Sequence, residues 1–188
     1  MFDLDDLLND CQAARAETEP RTAARDAVAR ALSDPDAVGD ALRPTEGGLT
    51  LLHHEPDLTV LHIVWAPGMR LYPHDHRMWA VIGIYAGQED NAFYRRSAPG
   101  QPTLVESGGK QIAVGDVLVL GADAIHSVAN PLERLTGAIH VYGGDFVNQP
   151  RSQWGPGPRE ERPYDMDLLR REFAEANRAS IDGGYGGD

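Results

Sequence analysis

Over the first forty or so residues, apolar side chains recur at intervals of three and four, with Leu4, Leu7, Leu8, Cys11 and Ala14 falling on one stripe. That is the spacing of an amphipathic helix. Pro20 divides the stretch 2–31 into two helices, because proline inside a helix removes a hydrogen bond and clashes with the preceding turn. Ser33, Asp34 and Pro35 read as an N-cap with proline in the first turn, and the short helix they start fails before Pro44. Gly47 and Gly48 close this helical preamble.

Across 49–142 the period changes to short runs rich in β-branched and aromatic residues, at 58–65, 79–85, 92–96, 110–114, 117–120 and 135–142. Turn residues separate nearly all of them: Pro67 and Gly68, Gly87, Pro99 and Gly100, Gly108 and Gly109, Gly115 and Asp116, Asn130 and Pro131. Many short strands at regular spacing with no helix between them predict a sheet folded or closed on itself. A passage rich in Pro and Gly, through Pro150, Gly155, Pro156, Gly157 and Pro158, leads to a helix over 166–178 supported by Leu168, Leu169, Phe173 and Ala176, and the Gly-rich tail 182–188 is expected to fray. The chain therefore divides into a helical segment at 1–46, a β-barrel at 47–150, and a crossing, helix and tail at 151–188. The N-terminal helices are expected to cover one face of the barrel, as an apolar sheet face requires.

The length of 188 residues fits one domain with appendages. With 17 basic against 29 acidic residues, the formal charge of −12 would repel phosphate backbones and anionic lipid surfaces, which argues against nucleic acid or a membrane as partner. No apolar run approaches the ~18 residues of a membrane span. The single cysteine, Cys11, excludes an intramolecular disulfide, and no secretory leader pattern opens the chain, so a cytoplasmic location is expected.

The candidate chemistry lies in the histidines. All seven fall between positions 53 and 140, inside the predicted barrel. His74 and His76 are two apart, so on an extended strand both imidazoles face one side and Asp75 the other. Two imidazoles so placed form a bidentate metal clamp. Of the rest, His62 is expected to be a buried, hydrogen-bonded histidine. The adjacent His53 and His54 must face opposite ways, so at most one points inward. Trp65, Trp79 and Tyr85 are expected in the core, and Asp75 and Glu89 in solvent.

Gly68 precedes His74 by six and Gly87 follows His76 by eleven, while Gly115 precedes His126 by eleven and Asn130 follows it by four. Both patterns resemble the two signatures of the cupin superfamily, departing from the second at Gly121 and Asp123. The resemblance implies a mainly β fold, the cupin double-stranded β-helix or jelly-roll barrel, with N-terminal helices and a short C-terminal helix, in which His74, His76 and His126 converge on one divalent metal. Four-ligand cupins carry a glutamate where this chain has Ala80. Three neutral imidazoles leave the full charge on the ion and about three open octahedral positions, which favours an anionic substrate atom.

A three-histidine cupin without the glutamate resembles the thiol dioxygenases, the family of cysteine dioxygenase and 3-mercaptopropionate dioxygenase. That resemblance spans roughly 50–151 and is sharpest at the PHDH segment and at His140 to Tyr142. It implies Fe(II), with Zn, Ni or Mn as alternatives on purification, and conversion of a small thiol, a mercapto-acid or cysteine-like compound, plus O2 to a sulfinate. It also implies that His140 and Tyr142, two apart on one strand face, act as catalytic residues, although the family's serine two positions before the histidine is Ala138 here. Arg151, eleven after His140, matches the family's carboxylate-binding arginine, with Arg70 as the rival substrate-binding residue. Where some family members crosslink Tyr to a Cys, this chain has Val81, so Tyr142 is expected to be an unmodified phenol. Another metal-dependent cupin enzyme acting on a small organic acid, and a non-catalytic metal or ligand sensor, are the competing functions, since a fold hosts many activities.

Overall fold

The computed structural model describes residues 2–98, 103–156 and 160–182. The expected turn at Pro99 and Gly100, the Gly157 and Pro158 part of the crossing, and the tail beyond residue 182 lie outside them. Three helices come first: α1 (Leu4–Ala14), α2 (Pro20–Ala31) and α3 (Pro35–Leu42). Asp3 caps α1 by accepting from the backbone N–H groups of Asp5 and Asp6, Pro20 stands in the first turn of α2, and Asp34 caps α3 through the Ala37 N–H. Each cap satisfies donors that a helix start leaves without partners.

The strands follow as β1 (Gly48–Glu55), β2 (Leu58–Trp65), β3 (Arg70–Asp75), β4 (Ala80–Ala86), β5 (Gln88–Arg96), β6 (Leu104–Ala113), β7 (Val117–Leu120), β8 (Ile125–Ala129), β9 (Thr136–Tyr142), β10 (Ser152–Trp154) and β11 (Glu161–Pro163), and α4 (Met166–Asp182) ends the described chain. One sheet runs β1-β2-β9-β4-β7 and the other β11-β10-β3-β8-β5-β6. The inner orders β2-β9-β4-β7 and β3-β8-β5-β6 are those of two interleaved Greek keys, the jelly-roll arrangement. The fold is the expected cupin-type double-stranded β-helix.

Period-two alternation divides the five-stranded sheet into two faces. Leu61, Ile63, Trp65, Ala80, Ile82, Ile84, Ala138 and Tyr142 point into the barrel. Val60, Val81, Tyr85, Ile139 and Val141 point outward against Leu7, Cys11, Ala24, Val28 and Val38 of the three helices. With both faces covered, every residue of β2 and β9 is buried, which is why these strands are near-continuous apolar runs in the sequence. At Gly83 a Cβ would come within 2.4 Å of a Val28 methyl, so the glycine permits the close approach of α2 to β4.

Two expectations are corrected. Gly108 and Gly109 do not form a turn: they lie inside β6, where the register against β5 slips between Phe93 and Tyr94 and Gly108 takes φ +155. A glycine at such a position absorbs the irregular backbone of a bulge. Asp75 and Glu89 are not solvated but buried. Asp75 accepts from the Ser152 N–H at 2.6 Å and from Arg77 Nε at 3.2 Å, tying β10 to its neighbour β3, so a segment 77 residues later covers it. α4 extends to Asp182, past the expected end at residue 178, and among the described residues no helix is long and apolar enough to cross a membrane.

Candidate metal centre

His74 lies on β3, His76 just beyond its end, and His126 on β8, where it sits directly opposite His74 in the ladder. The β3 register shifts between Leu71 and His74, across Pro73, which has no N–H to give the ladder. The resulting offset leaves both imidazoles of the H-x-H pair aimed inward. The candidate donor atoms of His74, His76 and His126 all lie within 4.8 Å of one another, and all three residues are buried.

The Nε2 atoms of His76 and His74 are 3.2 Å apart, and those of His126 and His76 are 3.4 Å apart. A metal with bonds of about 2.1 Å to imidazole nitrogen holds adjacent donors roughly 3.0 Å apart at a right angle and roughly 3.4 Å apart at a tetrahedral one. The spacing therefore fits a common cation. The outer nitrogens agree: His74 Nδ1 donates to the Tyr72 carbonyl at 3.1 Å and His126 Nδ1 to Asn91 Oδ1 at 2.8 Å. Such partners fix the proton on Nδ1 and turn the Nε2 lone pair toward the ion. Ala80 is buried on the interior face of β4 and carries only a methyl group.

Burial keeps these imidazoles neutral. It pushes His74 down to about 4 and His140 down to about 3, and holds His76 and His126 well below their ordinary value, with neighbouring imidazoles adding to the effect. Because the folded values lie below the unfolded one of about 6.5, the unfolded chain binds more protons in the interval between them, and stability is lost as pH falls. The metal-free protein should show a melting temperature that drops steadily from pH 6.5 toward 4; a flat profile over that range would mean that the imidazoles are hydrated rather than enclosed.

His140 and Tyr142 share the interior face of β9, and His140 Nδ1 lies 3.0 Å from the Tyr142 hydroxyl. The Tyr142 ring meets His76 edge-on at 5.0 Å. Among the described residues His140 Nε2 has no hydrogen-bond partner. Both residues line, with His74, His76 and His126, a cavity of about 20 Å³ closed by Phe146, Tyr164, Leu169 and Phe173. Those last four side chains come from the crossing and from α4, so the C-terminal segment forms the lid of the barrel.

Arg151 is 5% exposed. Its guanidinium lies 4.0 Å from the Phe146 ring centre and 4.1 Å from that of Tyr164, two residues of the cavity wall. It donates to the Phe146 carbonyl and approaches the Met166 sulfur at 3.4 Å, while its Nε has no partner among the described residues. Among the described residues no carboxylate pairs with it. Arg70, the rival, is exposed at the start of β3 and lines no part of the cavity, so the structure does not bring it to the histidines.

His62 faces the outer side of β2 and bonds to the Tyr85 hydroxyl at 2.7 Å. His53 contacts Gln12 at 3.4 Å and His54 contacts Asp145 at 2.8 Å, both away from the cavity. Trp65 and Tyr85 are buried in the core, whereas Trp79 is only partly buried beside the helical layer. Cys11 is buried in that outer layer, on the opposite side of the sheet from Tyr142, and burial pushes its thiol up to about 12. A Cys11–Tyr142 bond is therefore sterically excluded.

Glu89 is the residue that the sequence reading missed. It is fully enclosed in the barrel, accepts from Asn91 Nδ2 at 3.0 Å and from Trp65 Nε1 at 2.8 Å, and lies 3.9 Å from His140 Nε2. Polar residues surround it along β5, so alternation alone could not say which face was inside.

No family model matches the chain. Among solved structures, a protein from Bacillus halodurans is similar at a TM-score of 0.50 and 11% identity, over 71% of this chain and 89% of that one. An uncharacterised Klebsiella pneumoniae protein with a double-stranded β-helix domain gives 0.45 and 15%, over 62% and 87%. A Desulfitobacterium hafniense cupin superfamily protein gives 0.43 and 14%, over 54% and 83%. At such identities the likeness concerns fold alone. Fold and site together define a cupin-type double-stranded β-helix with a three-histidine candidate metal centre.

Proposed function

We propose that the chain is an Fe(II)-dependent thiol dioxygenase that converts a small mercapto-acid or cysteine-like thiol and O2 to the sulfinate. The observation that carries this reading is a carboxylate-free set of three histidines sharing one closed cavity with a tyrosine hydroxyl held by a histidine. Thiolate plus O2 gives the sulfinate with both oxygen atoms retained, so no further reductant is required. When bound, the iron would supply a Lewis acid that lowers the thiol pKa and a redox-active centre for O2.

The protein's own groups supply the remainder. His74, His76 and His126 present neutral donors and leave the opposite side of the site open. With Ala80 in place of the glutamate of four-ligand cupins, an incoming thiolate would bring the only negatively charged donor atom to the metal. Tyr142, whose hydroxyl burial holds well above its ordinary pKa, remains a phenol able to donate a hydrogen bond to an oxygen in the cavity. Arg151 is a buried cation without a counter-ion among the described residues, a costly state that a substrate carboxylate would relieve.

A cavity of about 20 Å³ holds one water-sized group, so a mercapto-acid enters only when part of the lid moves. Leu49, Phe146, Leu169 and Phe173 line both this cavity and an apolar groove of about 650 Å³ beneath α4, which makes their side chains the gate. The test of function is O2 uptake by the Fe(II)-loaded protein across a panel of thiols, with sulfinate identified by mass. Consumption with a mercapto-acid is the expected result. No uptake with any thiol, alongside tight metal binding, would favour a sensor or a different small-acid enzyme.

A further inference from the structure

The proposed reaction uses the Tyr142 hydroxyl as a donor, and the 3.0 Å contact with His140 Nδ1 is compatible with a proton on either atom. If His140 Nδ1 were a bare lone pair it would draw that proton away from the cavity. For the hydroxyl to face inward, Nδ1 must carry a hydrogen and donate to the tyrosine oxygen, which leaves Nε2 as the lone pair in need of a donor. Ala138, the neighbour of His140 on the same face of β9, has only a methyl group. Across the barrel Glu89 Oε2 lies 3.9 Å from Nε2, which has no hydrogen-bond partner among the described residues.

We propose that Glu89 is a positioning residue, the third member of a chain in which its carboxyl O–H donates to His140 Nε2, His140 Nδ1–H donates to the Tyr142 oxygen, and the Tyr142 O–H is thereby aimed into the cavity. This rests on the thiol dioxygenase reading for its purpose, but not for its geometry. Glu89 is fully enclosed, a place where an ionised carboxylate is costly and a neutral acid is not. Burial pushes its carboxyl up to about 7, against the opposing pull of the Asn91 and Trp65 donors, while His140 is driven down. Enclosure thus favours a neutral carboxyl beside a neutral imidazole.

The two donors also fix the rotamer. Asn91 holds Oε1 and Trp65 holds Oε2, and the hydroxyl oxygen of a protonated acid can still accept from the indole while donating onward. Asn91 in turn accepts from His126, so one buried chain links a metal ligand to the tyrosine across both sheets. The 3.9 Å separation exceeds a normal hydrogen bond of about 2.8 Å, so forming the bond requires the two side chains to approach by about 1.1 Å.

The test is ring-nitrogen NMR of the full-length chain with labelled histidine, loaded with diamagnetic Zn2+ and free of thiol and O2, the His140 signals being those that vanish in His140→Gln. The expected wild-type result is a protonated Nδ1 and an unprotonated Nε2. In Glu89→Leu both His140 nitrogens should move toward averaged values, and kcat for thiol oxidation by the iron form should fall roughly 10- to 100-fold at unchanged KM. A protonated Nε2 in the wild type, or His140 signals unmoved in a folded Glu89→Leu, would overturn the proposal. Should Glu89→Leu fail to fold, the wild-type spectrum alone decides. Because the NMR arm uses neither substrate nor oxygen, its failure is distinct from a failure of the dioxygenase reading.

Discussion

His126→Ala, like His74→Ala and His76→Ala, should weaken binding of a divalent ion by at least about 100-fold, since loss of a residue that merely orients a ligand already costs 10- to 100-fold. Each imidazole supplies one of three donors, and no fourth side chain among the described residues joins their cluster. His140→Ala is the internal control. It removes an equally buried imidazole from the same cavity, so damage by cavity formation is matched, yet its Nδ1 is engaged by Tyr142 and its Nε2 faces Glu89. Equilibrium dialysis with Zn2+ and with Fe(II) should therefore show three variants without metal and one that retains it. Stoichiometric metal in any of the first three would remove that residue from the ligand set.

Arg151→Ala should raise KM for a mercapto-acid by a factor corresponding to about 2 to 5 kcal/mol, the penalty when one partner of a buried charge pair is removed. The structure gives this expectation a physical basis that spacing alone lacked. The guanidinium lies against the rings of Phe146 and Tyr164 and is shielded from water, and among the described residues its Nε donor is unused. A carboxylate fixed there also fixes where the sulfur falls, so positioning contributes beyond charge. Cysteamine, a thiol without a carboxylate, separates the roles: its turnover should scarcely change. Equal losses on both substrates would make Arg151 a support for the lid, since it also holds the Phe146 carbonyl and packs on Tyr164. No loss on either would leave the buried charge without a function in this reaction.

Local signals in the sequence were sufficient for whatever depends on neighbours along the chain. The three-and-four spacing of Leu4, Leu7 and Cys11, the Asp34 and Pro35 start of α3, and the apolar run of β2 follow from helix and strand periods and from caps. The H-x-H spacing of His74 and His76 likewise determines that two imidazoles share a face. The strands that carry the site were harder to see. β3 and β8 hold His74, His126 and Pro73 where apolar alternation would otherwise stand, so function had overwritten the pattern that announces a strand. The boundaries of β5 and β6 were obscured for a related reason, since their polar residues and the Gly108 bulge read as turn.

Burial of isolated polar residues was decided only by the tertiary structure. Glu89 and Asp75 look like surface carboxylates in sequence because their partners are remote: Trp65 and His140 lie 24 and 51 positions from Glu89, and Ser152 lies 77 from Asp75. A strand's period distinguishes two faces but does not say which is inside when both are polar. The same limit separated Arg151 from Arg70, equally plausible by charge, one enclosed by the lid and the other left in solvent. Closing the jelly roll brings β5 against β9 across the barrel and lays the C-terminal segment over its mouth, and that long-range geometry, rather than any local propensity, turns three histidines into a sealed site with its own buried acid.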